Sequence, residues 1–133
     1  MSYTTRIKNE IITIEESKSE LIALLSAFIR NNGYLEDGAL FLTTENDNTK
    51  NKIINSFKRL YEVDALVEVK NNLNFSKKDL YLIKLNKNVD FILKDIGFID
   101  SNNNYLETPP AYITGANEEI RAYLRGVFLS QGS

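Results

Sequence analysis

The chain has 133 residues, with 16 Lys and Arg against 18 Asp and Glu, a formal net charge of −2 and 43% hydrophobic residues, the make-up of one soluble globular domain. It contains no His and no Cys, which excludes a disulfide framework and a thiolate metal site and removes the usual general base and zinc ligand of hydrolases. The slightly acidic balance argues against a generic polyanion binder, so any nucleic-acid contact must use a local basic face.

In chain order, residues 5–16 predict a short helix, against which the β-branched run Ile11-Ile12-Thr13-Ile14 counts. Residues 19–32 place Leu21, Leu24, Leu25, Phe28 and Ile29 on one side of a helix, with Ser19 as N-cap and Gly33 as the stop. Asp37-Gly38, set between two short runs rich in β-formers, predicts a tight hairpin. A second helix over residues 47–61 buries Ile53, Ile54, Phe57 and Leu60, with Lys50, Lys52, Lys58 and Arg59 outside and Asn46 or Asp47 as its cap.

Strands follow at residues 65–70 and 80–85, joined by a polar connection as a second hairpin. A short helix over residues 88–96 stops at Gly97, residues 100–104 are loop, and Pro109-Pro110 punctuates the approach to a last helix over residues 117–131. Strand pairs between helices, connected as hairpins, predict an α+β fold with an antiparallel sheet covered on one face. The opening residues lack a signal-peptide h-region and no apolar run approaches the ~20 residues that span a bilayer. The expected location is the cytoplasm.

The chain also repeats itself. Leu25-Ser26-Ala27-Phe28-Ile29-Arg30-Asn31-Asn32-Gly33 aligns without gaps onto Leu124-Arg125-Gly126-Val127-Phe128-Leu129-Ser130-Gln131-Gly132. Both copies end a helix at glycine, and both place a small residue, Ala27 or Gly126, where two helix backbones can approach closely. This pattern, with the αββαββ order that follows it, resembles the LAGLIDADG homing-endonuclease fold. More closely, the chain resembles the N-terminal part of the WhiA family of bacterial DNA-binding regulators of sporulation and cell division. The resemblance is carried by residues 1–10, by the 25–33 helix end with Tyr34-Leu35-Glu36 after it, by Thr43-Thr44-Glu45-Asn46, by Leu93-Lys94-Asp95-Ile96-Gly97, by Pro109-Pro110 and by residues 121–133.

The resemblance implies a helical arm at residues 1–18, a first LAGLIDADG-like repeat at 19–108 and the start of a second at 109–133. WhiA-like proteins continue through a full second repeat and a helix-turn-helix domain, so the chain is expected to be a fragment or an unusually short relative. Active LAGLIDADG enzymes carry an acidic residue just before each terminal glycine, where it holds a divalent cation beside the scissile phosphate. Here those positions are Asn32 and Gln131, both neutral. The resemblance therefore implies a protein that is not an enzyme and uses neither metal nor other cofactor.

LAGLIDADG proteins lay the open face of their sheet along DNA, so the resemblance implies that strand residues pointing away from the helices are the contact candidates. Alternation gives Leu66, Glu68 and Lys70 as outward residues if Ala65, Val67 and Val69 pack inward; in the partner strand either Leu80, Leu82 and Lys84 or Tyr81, Ile83 and Leu85 face out. Lys70 and Lys84, with Lys77 and Lys78 in the connecting loop, are the expected phosphate contacts for double-stranded DNA. The plainer alternative is that these lysines solubilise a sheet edge. Tyr34 and Phe41 read best as a cross-strand pair and Arg30 and Arg125 as paired side chains. Self-association is expected through Tyr123, Val127 and Phe128 of the last helix, and a nucleoid-associated location follows from DNA binding. A protein-interaction module on the same scaffold is the competing function, supported by the acidic balance and by Glu36 and Glu68.

Overall fold

A reciprocal cap opens the central helix: Glu20 N donates to Ser17 Oγ at 3.3 Å while Ser17 N donates to Glu20 Oε1 at 3.0 Å. The cap is thus Ser17, two residues before the expected Ser19, because only Ser17 has a glutamate three residues on. The structure, a computed structural model, describes residues 3–70 and 79–131. Its elements are α1 (Tyr3–Ile12), α2 (Lys18–Asn32), β1 (Gly33–Glu36), β2 (Ala39–Thr44), α3 (Asp47–Tyr61), β3 (Leu66–Lys70), β4 (Leu80–Leu85), α4 (Val89–Asp95) and α5 (Asn117–Ser130). The first helix ends before the expected 16, at the β-branched stretch.

From α2 to β4 the order is αββαββ, and the four strands form one antiparallel sheet in the order β1-β2-β4-β3. Asp37 and Gly38 both take left-handed backbone angles, φ 51° and 78°, as the predicted two-residue hairpin requires. Gly33 ends α2 as expected, and it does so with an extended backbone, so α2 runs directly into β1. Asn46 caps α3, accepting from Thr49 N at 2.8 Å.

Leu24, Leu25, Phe28 and Ile29 of α2, Ile53 and Phe57 of α3, Leu40 and Leu42 of β2, and Ile83 and Leu85 of β4 form one buried core. The helices therefore cover a single face of the sheet. On that same face Val67 and Val69 stay 41% and 51% exposed. The strand alternation is as expected, but β3 is an edge strand and its valines are not packed inward as expected.

The second repeat helix lies against the first. A Cβ on Gly126 of α5 would run into the Leu24 carbonyl oxygen of α2 and lie 3.0 Å from Ala27 Cβ, so the paired small residues do allow the backbones to touch. On α5 the strongly exposed apolar side chains are Ile120 and Leu124. Tyr123, Val127 and Phe128, expected to form the exposed patch, are half-buried. Among the described residues no helix is long and apolar enough to cross a membrane.

Candidate functional site

Two places among the described residues bear on the expected function: the junction where α2 and α5 end together, and the helix-free face of the sheet. At the junction, half-buried Asn32 donates through Nδ2 to Ser130 O at 2.7 Å and to Thr43 O at 3.1 Å. Asn31 Nδ2 donates to Ser130 Oγ at 2.9 Å, and Ser130 Oγ donates to Val127 O at 2.6 Å. The exposed Gln131 presents its backbone carbonyl to the ammonium of Lys8, a buried side chain of α1. A cation suits this position, because helix C-termini carry partial negative charge.

A cleft of about 470 Å³ opens here, lined by Lys8, Asn32, Thr43, Glu45, Ser130 and Gln131 among others. A carboxylate at position 32 would set its charge against two carbonyl oxygens, whereas the amide satisfies both. Asn32 thus serves as a donor, the opposite of what a hard-cation ligand must do. Among the described residues no group of three His, Cys, Asp or Glu side chains converges as a metal ligand set.

The arginines of the two repeat helices are committed internally. Arg30 donates from Nε to Leu106 O at 3.2 Å, from Nη1 to Ser26 O at 3.0 Å and from Nη2 to Gly97 O at 2.5 Å, which ties the loop after α4 to α2. Burial pulls its guanidinium below the usual range. Arg125 Nε meets Glu16 Oε2 at 3.1 Å, and Lys52 Nζ meets Glu16 Oε1 at 2.7 Å. The Glu16 side chain is fully enclosed, so one carboxylate joins the segment before α2 to both α3 and α5. Hydrogen bonds to Ser17, chiefly from its backbone N–H, hold the Glu20 carboxyl below the usual carboxylate range.

Strand register settles which residues face away from the helices. Tyr34 pairs with Phe41, Phe41 with Lys84 and Lys84 with Leu66, so these four form one row across all four strands. Leu42 and Leu40, opposite Ile83 and Leu85, belong to the core face, which leaves the Tyr34–Leu66 row on the open face. Of the two alternatives for β4, the outward set is Leu80, Leu82 and Lys84. Tyr34 and Phe41 stack with centroids 5.1 Å apart and an interplanar angle of 11°, and Lys84 Nζ lies 5.6 Å from the Phe41 centroid. They are the expected cross-strand pair, with Tyr34 44% exposed.

Lys70, opposite Leu80, is exposed on this same face. Lys77 and Lys78 lie outside the described residues. Glu36 and Glu68 share the face, one row to either side of Lys84. On α3, by contrast, the basic group is paired: Lys50 with Asp47 at 2.7 Å, Lys58 with Asp64 at 3.1 Å, and Arg59 with the Glu16 carbonyl at 2.7 Å. Sequence reasoning missed Lys8 and Glu16, whose roles depend on contacts with residues far along the chain. For Glu16 only its place beside the capping box is visible locally.

Residues 18–99 match the family described as the WhiA N-terminal LAGLIDADG-like domain. The chain is 33% identical over 137 aligned positions to the probable cell division protein WhiA of Lactobacillus johnsonii, covering all of this chain and 44% of that protein. It is 31% identical to the WhiA of Staphylococcus haemolyticus, covering 43% of it. The chain therefore spans less than half the length of these curated relatives. Among solved structures, the N-terminal LAGLIDADG domain of DUF199/WhiA superposes with a TM-score of 0.70 at 22% identity, covering 99% of this chain and 59% of that one. Full-length DUF199/WhiA from Thermatoga maritima gives 0.64 at 20% identity, with 100% and 40% covered. Those likenesses show the fold. With the αββαββ unit, the paired repeat helices and the family match over most of its length, the chain belongs to the WhiA family.

Proposed function

We propose that this domain is a non-cleaving DNA-docking module of a WhiA-type transcriptional regulator, working in the cytoplasm at the nucleoid, and that duplex DNA lies on the helix-free face of its sheet. The observation that carries this reading is the division of labour between the two places. At the helix ends Asn32 is spent on backbone carbonyls, while on the open face Lys84 stands beside the Tyr34–Phe41 pair and Lys70 two rows further along on β3. Two lysines offset by two glutamates give a weak, salt-sensitive contact, and a further DNA-reading domain would supply most of the sequence specificity.

The test is a mobility-shift titration with duplex DNA at low and moderate salt, comparing the chain with a Lys70→Glu, Lys84→Glu variant. Binding at low salt that weakens about tenfold or more in the variant supports the reading. A parallel incubation of supercoiled plasmid with Mg²⁺ or Mn²⁺ is expected to leave it intact; nicking would refute the non-cleaving claim. Glu36, Glu68 and the exposed Leu66 favour a second reading, a protein-docking sheet face. Absence of any DNA shift at low salt would move the assignment there.

A further inference from the structure

The outer row of the sheet has a more specific chemistry than a generic basic surface. From β1 to β3 it presents, in order, an exposed tyrosine ring, a phenylalanine ring stacked on it, an ammonium over that ring, and Leu66 at 55% exposure. Phe41 occupies one face of the Tyr34 ring, which leaves the other face at the β1 edge. With strands spaced about 4.8 Å apart, the row is about 14 Å long. It contains no acid. Glu36 lies in the neighbouring row on one side and Glu68 in the neighbouring row on the other.

A duplex laid on this face spreads its phosphates over a width that takes in both carboxylates. A single strand crossing the β-strands along the row meets neither. Aromatic faces accept any base by stacking, and an ammonium beside them takes the backbone phosphate. We infer that the Tyr34–Phe41–Lys84–Leu66 row is a docking track for unpaired DNA: a base stacks on the free face of Tyr34, the adjoining phosphate sits at Lys84, and the next base rests on Leu66. This rests on the reading that the open sheet face contacts DNA, and it adds that the face prefers single-stranded or locally opened DNA over a closed duplex.

Fluorescence anisotropy at low salt tests it with four labelled probes: oligothymidine, the matching oligouridine RNA, a closed duplex, and the same duplex with a central unpaired thymidine loop. Oligothymidine and the looped duplex are expected to bind on the order of tenfold more tightly than the closed duplex. Tyr34→Ala is expected to erase that preference by weakening oligothymidine and looped-duplex binding more than closed-duplex binding, and Tyr34→Phe to keep it. Lys84→Gln should lower affinity for all DNA probes and reduce the salt slope by about one.

Equal affinity for closed and looped duplexes overturns this inference and leaves the duplex-docking reading standing. Binding to none of the DNA probes overturns both. Tighter binding of oligouridine than of oligothymidine overturns the assignment to DNA. Circular dichroism of Tyr34→Ala, compared with Tyr34→Phe, separates a lost stacking surface from a lost fold.

Discussion

At the junction of α2 and α5 the polar side chains are spent on the protein itself: Asn32 on two carbonyls, Asn31 on Ser130, and Lys8 on the end of α5. Across the open sheet face the same kinds of group meet solvent, and their protein contacts are ring stacking and a cation over a ring. The two regions sit at opposite ends of a trade between stability and availability. Groups bound to carbonyls hold two helices in register and are not free for a ligand, whereas groups on the open face contribute little to folding and remain available.

Substitutions can break this contrast, beginning where the packing is tightest. Gly126→Leu forces a side chain into the Leu24 carbonyl and is expected to cost on the order of 4 kcal/mol, above the usual overpacking range because backbone must move. Urea denaturation measures it. Glu16→Gln removes the enclosed charge that Lys52 and Arg125 share and should cost about 3 kcal/mol by the same measurement, since the poorly solvated Lys52 loses its carboxylate and Arg125 keeps only the longer contact to Glu20 at 3.6 Å.

Asn32→Asp restores the acid of an active helix end and should cost about 2 kcal/mol near neutral pH, through repulsion with Ser130 O and Thr43 O. The cost should shrink as pH falls and the carboxyl protonates, since the neutral acid can again donate. An Asn32→Asp variant as stable as the parent at pH 7 would show that the amide is not the structural element described. On the sheet face, Lys84→Gln should change stability by less than about 0.5 kcal/mol; a larger loss would mean that this face is also structural.

The smallest effect concerns the loop after α4. Asp100 Oδ1 accepts from the backbone N–H groups of Asn104 and Asn102, both at 2.9 Å, and these bonds, Asn104 first, hold its carboxyl below the usual range. Its folded value is therefore lower than its unfolded one. Its stabilisation is complete above the unfolded value of about 3.9 and is lost as pH falls through the folded value. Asp100→Asn should flatten that acid limb slightly in an acid titration of stability.

Local chemistry made much of the fold legible. Asn46 and the Asp37-Gly38 turn act where their side chains and backbone preferences require, and the helical spacing of α3 marks its buried face. Sequence reasoning places the cap of α2 at Ser19 and misses Ser17, although Ser17-Lys18-Ser19-Glu20 contains the serine-to-glutamate spacing that Ser19 lacks. The exposure of Val67 and Val69 was not legible, because alternation gives the face of a residue but not whether a helix covers it. At the site, the neutral Asn32 and Gln131 could be read from the repeat, whereas the partners of Asn32 arise only when α5 and β2 are brought beside α2. The choice between the two β4 faces likewise needed the Leu42–Ile83 register.

The proposed docking puts DNA on the open sheet face and not at the helix junction. Amide chemical-shift mapping of the ¹⁵N-labelled chain with a short DNA duplex at low salt, with and without Mg²⁺, tests it most directly. The account predicts shifts concentrated at Tyr34, Phe41, Leu66, Lys70 and Lys84, with the Asn32 side-chain amide unmoved in both conditions. Shifts gathered at Asn32, Ser130 and Gln131, or a Mg²⁺-dependent change at Asn32, would contradict it.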